Sequence, residues 1–352
     1  MITTIILIAL FLLGDFSFTF MSQECFGHIP SGKRLERIKQ SPHYNGKEFE
    51  NEIPTAHTTK ESNVVKNVWK FLTSNRANTA PDTMTNVIKT DVKNLPNDKD
   101  WLVWFGHSSY LMNLSGKKFL VDPVFYKASP VTFVIPMFKG TDIYKPNDMP
   151  DIDYLVITHD HWDHLDYETV TELEPRVGKV ICALGVGEHF EYWGYNPDKL
   201  IEEDWWKEVE LENNFKLTYT PARHFSGRDL NQNKTLWTSY LLQTPKRTIW
   251  ISGDGGYGPH HAKIGEKFKD IDLGIMENGQ YSEDWALIHT LPKYLGTEMK
   301  EINAKRYITV HHSKFALSKH DYDEPLKNAV NAARESGKPV LIPKIGEIIY
   351  LD

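Results

Sequence analysis

Behind the apolar stretch Tyr154–Thr158, which reads as a buried β-strand, the chain continues His159-Asp160-His161-Trp162-Asp163-His164. This H-x-H-x-D-H spacing constrains the chain more than any other feature, because it sets four metal-binding groups at one strand end. Residues two apart in an extended stretch share a side, so His159 and His161 can grip one ion together. Asp163 and His164 follow where the chain bends toward a helix expected over Tyr167–Glu174, and can face a second ion. Imidazole and carboxylate suit zinc, with iron or manganese as alternatives. A His-rich surface loop is the plain competing explanation, but exposed loops rarely set four such groups behind a strand.

One loop cannot complete two metal shells, so further ligands must come from distant strand ends. His224 lies in Pro221-Ala222-Arg223-His224-Phe225-Ser226-Gly227-Arg228, after the strand expected at Phe215–Thr220. Asp254 lies in Ser252-Gly253-Asp254-Gly255-Gly256, after Thr248–Ile251, and His311 or His312 closes Tyr307–Val310. Taken singly, each reads as a structural turn residue. Their shared position behind strands makes ligation the better explanation.

The surrounding pattern predicts two packed sheets covered by helices. Short β-rich runs at Trp101–Phe105, Tyr110–Leu114 and Lys118–Val121 predict hairpins. Later strands are expected at Val180–Leu184, Trp237–Thr244, Thr248–Ser252, Arg306–His311, Val340–Ile342 and Glu347–Leu351. Helices at Gly187–Trp193, His260–Phe268, Pro292–Ile302 and Glu324–Ser336 interleave with them. With 352 residues, 40% of them hydrophobic, the chain can bury a sizeable core. One catalytic domain over residues 100–352 accounts for the pattern. Residues 26–99 read as an irregular polar extension with one helix near Ser62–Ser74.

The net charge of -7 gives no basis for binding nucleic acid. Two cysteines, Cys25 and Cys182, cannot make a disulfide framework or a cysteine-rich zinc site, so His and carboxylates must hold any metal. Ile2–Leu13 is almost wholly apolar but shorter than the ~20 residues a spanning helix needs. Residues 1–25 therefore read as a signal peptide or membrane anchor, which implies an exported or membrane-attached protein, a cytoplasmic one being the alternative. The basic run Lys33–Lys39 fits a solvated face as well as a lipid contact.

The ordered motifs resemble the metallo-β-lactamase superfamily, and within it the branch of N-acyl-phosphatidylethanolamine phospholipase D and its bacterial relatives. Besides the motifs above, the likeness rests on Trp104-Phe105-Gly106-His107-Ser108-Ser109, Val121-Asp122-Pro123, Asp204-Trp205-Trp206 and His311-His312-Ser313-Lys314-Phe315-Ala316-Leu317. It spans roughly residues 100–335. The resemblance implies a four-layer αβ/βα sandwich with the site at the edge between the sheets. It selects His311 over His312. By position, His159, His161 and His224 would hold one metal, Asp163, His164 and His311 the other, with Asp254 bridging. His289 falls where that family places a His that approaches the substrate. Arg228 is expected as a phosphate partner, since a guanidinium pairs two oxygens at once. Tyr281 is expected in the pocket.

His107 and Asp122 are expected to brace turns without touching metal, and His260 and His261 to sit outside the ligand set. The activity implied is phosphodiester cleavage in a phospholipid, by a water acidified between two zinc ions, with Asp163, Asp254 and His289 as the catalytic side chains. A lactonase or esterase acting on a small soluble substrate, as in the ascorbate-6-phosphate lactonases, is the first alternative. A non-catalytic metal-binding protein is the second.

Overall fold

The computed structural model describes residues 19–59 and 78–351. Most of the apolar N-terminal segment, and the helix expected near Ser62–Ser74, lie outside the described residues. Two seven-stranded sheets form the centre. The first contains β1 (Trp101–Trp104), β2 (Tyr110–Leu114), β3 (Lys117–Val121), β4 (Ile152–Ile157), β5 (Val177–Ala183) and β6 (Leu200–Glu203). The second contains β7 (Glu208–Leu211), β8 (Phe215–Thr220), β9 (Ser239–Gln243), β10 (Thr248–Ile251), β11 (Leu273–Glu277), β12 (Arg306–Val310) and β13 (Val340–Leu341). The last strand, β14 (Ile348–Tyr350), returns to the first sheet beside β1.

Each sheet pairs its early strands antiparallel and its later ones parallel, so the two halves repeat one plan. Alternation along the strands builds the layers. Leu102 and Trp104 pack between the sheets with Phe119, Val156, Leu242, Ile275 and Ile308. Trp101 and Val103, one residue out of phase, pack with α1 (Gly32–Ile38), α2 (Tyr167–Leu173) and α3 (Gly187–Tyr192) through Ile38, Val170 and Phe190. On the far face, Trp250, Met276 and Tyr307 meet α4 (His260–Lys267), α5 (Pro292–Ile302) and α6 (Glu324–Ser336) through Ile264, Leu295, Met299 and Ala332. The result is the expected four-layer sandwich. Burying each of these large side chains stabilises it by roughly 1.5–3 kcal/mol.

Three strands and one helix escaped the sequence pattern. β11 carries Gly274 within a short run, which weakens any strand signal. That glycine is required by close approach, because a Cβ there would lie 2.4 Å from the Tyr307 ring. β6 and β7 are short and acidic, so their alternation is masked. The basic run at Lys33–Lys39 belongs largely to α1, and Arg34 is no solvated cation: it pairs with Glu188, Glu191 and Glu202.

Candidate metal centre

The strand ends β4, β8, β10, β11 and β12 meet at one edge between the sheets. The loop after β4 begins with alternating sides. His159 and His161 face the centre, while Asp160 turns away to accept Gly227 N–H, Thr235 Oγ1–H and His189 Nε2. His224 arrives from the loop after β8. Its Nε2 lies 3.1 Å from His161 Nδ1, and His159 Nε2 lies 2.9 Å from the same atom. Asp163 Oδ2 lies 3.2 Å from His311 Nε2, and Asp254 Oδ2 lies 3.1 Å from both His311 Nε2 and His164 Nε2. All seven residues expected as ligands are thus gathered at one place.

Backbone chemistry allows this convergence. Asp254 sits in a turn where Gly253 has φ of +60°, and a Cβ there would come within 2.8 Å of Thr238 O. His107, Asp122 and His311 all adopt left-handed φ without being glycine, a strained conformation that neighbouring structure must hold. His311 N–H donates to His107 O, and His107 N–H to His312 O, so the two sheets hold each other at the site.

The tautomers follow from the outer partners. Thr158 Oγ1–H donates to Asp122 Oδ2, leaving its oxygen to accept His159 Nδ1–H. His164 Nδ1–H donates to Asp122 as well, and His224 Nδ1–H donates to Ile288 O. The Nε2 atoms of His159 and His224 are therefore lone pairs directed inward. His164 Nε2 lies 3.1 Å from Asp254 Oδ2; burial lowers the pKa of His164, but the carboxylates of Asp254, Asp163 and Asp122 hold it well above the usual histidine value. Burial alone raises the pKa of Asp163 and Asp254, but the imidazoles around them, His164 foremost, pull both well below the usual carboxylate range. Burial and neighbouring imidazoles push His159 and His224 well below the usual histidine value. Acceptors packed against acceptors, two of them anionic, suit cations at the centre.

Two expected roles need correction. Arg228 cannot reach a substrate phosphate: it is 5% exposed and its guanidinium donates to the carbonyls of Cys25, Asp160 and Leu165. It lies over the ring of Trp162, which lines the cavity, so it holds the loop that carries the candidate ligands. Tyr281 is also turned away, donating its hydroxyl to Glu324 and accepting Asn328 Nδ2–H. Its neighbour Gln280 lines the cavity instead. His107 and Asp122 do more than brace turns, since they hold Asp163 and His164. Their signal in the sequence was a polar residue directly behind an apolar strand, within motifs that carry the resemblance.

A cavity of about 660 Å³ opens over the centre. His161, Asp163, Asp254 and His289 contribute to its lining, and its walls include Ala128, Ile135, Trp162, Phe225, Trp285, Ile288 and Leu317. His57 and Thr58 complete the rim, so the N-terminal segment forms part of the site. His57 stacks on Phe225, which in turn packs edge-on against His161.

Comparison with known proteins agrees with this geometry. Residues 117–312 match the model of the β-lactamase superfamily domain. An uncharacterized protein of Mycobacterium tuberculosis is 30% identical over 319 residues, covering 88% of this chain and 84% of that protein. An N-acyl-phosphatidylethanolamine-hydrolyzing phospholipase D of Caenorhabditis elegans is 28% identical over 284 residues, covering 68% of this chain and 78% of its own length. In fold, the chain is similar to Igni18, a metallo hydrolase of Ignicoccus hospitalis, with a TM-score of 0.55 at 19% identity over 71% of this chain and 97% of that one. The chain belongs to the metallo-β-lactamase superfamily, as a metal-dependent hydrolase related to the N-acyl-phosphatidylethanolamine phospholipases D.

Proposed function

We propose that this hydrolase is a dinuclear phosphodiesterase acting on a phospholipid of the N-acyl-phosphatidylethanolamine type. The observation that carries the reading is a divided ligand set under an apolar cavity. His159, His161 and His224 form one group, Asp163, His164 and His311 belong to another, and Asp254 lies against both. Each group would hold one ion, zinc by its imidazole and carboxylate donors. Bound there, such ions acidify water and stabilise charge on phosphoryl oxygens.

The chain's own residues supply orientation and water exclusion. His107 and Asp122 fix Asp163 and His164, so the centre is held before substrate arrives. His289 lines the cavity, and with Nδ1–H given to Glu277 its Nε2 can take a proton from a substrate group or, once protonated, return it. Trp162, Phe225, Trp285 and Leu317 favour acyl chains over water. Phe133 and Leu230, 85% and 84% exposed, tip the two loops whose Ile135 and Gln232 reach the cavity, and suit a lipid surface. A closed polar pocket, which a small lactone would favour, is not what lines this cavity.

The test is bound metal and turnover of the full chain against bis(p-nitrophenyl) phosphate, an N-acyl-phosphatidylethanolamine and a panel of lactones, beside Asp254→Asn. About two metals per chain and diester cleavage lost in the variant are expected. Lactone turnover alone would move the assignment to the lactonases. Retention of activity after chelation would remove the metal from the mechanism.

A further inference from the structure

Glu277 closes β11 behind His289, which lines the cavity, and is 2% exposed. A carboxylate this deeply buried is costly unless its oxygens are satisfied. Here they accept Gly255 N–H at 2.9 Å, Thr290 N–H at 2.7 Å and His289 Nδ1–H at 3.1 Å. Gly255 follows Asp254 and Thr290 follows His289, so one carboxylate ties together the turn and the loop that carry both side chains. No Lys or Arg pairs with Glu277 among the described residues, so its partner is an imidazole.

We infer that Glu277 is a positioning residue that acts through His289. By accepting the Nδ1–H it fixes both the tautomer and the ring plane of His289. The ring lies parallel to His311, with centroids 5.3 Å apart and 14° between planes, and edge-on to His224. With Nδ1 committed inward, Nε2 is the nitrogen left for a substrate in the cavity. The arrangement is a carboxylate–imidazole dyad built beside the metal ligands, and Glu277 supplies its orienting half. Glu298 completes the support from behind, since Thr290 Oγ1 lies 2.9 Å from Glu298 Oε1 and from Gly255 O.

This role rests on the phosphodiesterase reading for its substrate, but not for its geometry. The experiment therefore has two arms. In the first, ¹⁵N-labelled wild-type and E277Q proteins are compared by imidazole NMR, with His289 assigned from H289A. Wild type is expected to keep Nδ1 protonated across the pH range in which its ring loses the Nε2 proton, and E277Q to give a neutral ring of mixed or Nε2-protonated form. An unchanged tautomer in E277Q would overturn the inference whatever the substrate proves to be.

The second arm is a double-mutant cycle on N-acyl-phosphatidylethanolamine hydrolysis, with bound metal measured in parallel. E277Q is expected to lower kcat by about 10- to 100-fold with metal content retained, and to change H289A by less than about twofold. Equal losses in both backgrounds, or loss of metal with activity, would make Glu277 a structural tie or a ligand instead. If E277Q does not fold, E277D takes its place, because it keeps the charge but withdraws it from Nδ1. Absence of diester turnover in the wild type would fail the phosphodiesterase reading and leave the NMR arm to decide.

Discussion

Asn51 grips the backbone of His224 by both of its hydrogen-bonding groups. Asn51 Nδ2 donates to His224 O at 2.8 Å, and His224 N–H donates to Asn51 Oδ1 at 3.1 Å. A side-chain amide thus imitates a neighbouring strand and holds a candidate metal ligand from 173 positions away. Asn51→Ala removes both bonds, each worth about 0.5–1.5 kcal/mol net, together with a longer one from Trp237 Nε1, which keeps Ala222 O as a partner. Thermal unfolding is expected to show a loss of about 1–3 kcal/mol. A zinc competition titration is expected to show affinity reduced about tenfold or more. Unchanged affinity would mean that the N-terminal segment only covers the site.

Arg228 gives a test of the corrected assignment. Its guanidinium satisfies three backbone carbonyls, and losing it leaves them buried without donors. Arg228→Met is expected to destabilise the fold by about 3 kcal/mol or more. KM for bis(p-nitrophenyl) phosphate is expected to stay within about threefold, because the side chain does not line the cavity. A tenfold rise in KM at unchanged stability would restore the phosphate-binding role.

Lys314 makes stability depend on pH. Its Nζ is buried and donates to Val124 O at 2.7 Å, and burial pushes its pKa down to about 7. The ordinary lysine value is 10.5, so between those limits the unfolded chain binds more protons than the folded one. Stability therefore rises with pH across that window, and the cost of the buried charge is complete below about 7. Urea unfolding at pH 7, 8 and 9 is expected to show this rise in wild type and a smaller one in Lys314→Met. Parallel profiles would show that Lys314 stays charged when folded.

Phe133 and Leu230 test the lipid side of the proposal. Exchanging both for serine removes two exposed apolar tips, each able to contribute ~1.5–3 kcal/mol when buried in an acyl layer. Hydrolysis of phospholipid in vesicles is expected to fall by about tenfold or more, while bis(p-nitrophenyl) phosphate turnover is unchanged. Equal loss on both substrates would instead indicate damage to the centre.

What the sequence by itself determined was the sandwich and the candidate ligand set that it brings to one edge. His159, His161, Asp163 and His164 are legible because strand periodicity acts locally, and residues two apart on a strand share a side. His224, Asp254 and His311 are legible because each follows an apolar run, the place where loops gather at a sheet edge. Tertiary structure alone decided which groups aim those ligands and which only hold the fold. Arg228 stands in a motif suited to phosphate, yet nearby carbonyls claim all of its bonds. Glu277 ends a strand with no motif around it, yet it sets the ring of His289. Asn51 lies in a polar stretch that reads as an extension, yet it clamps His224. Hydrogen bonds between residues far apart in the chain leave no spacing to read, because their partners meet only when the two sheets close on each other.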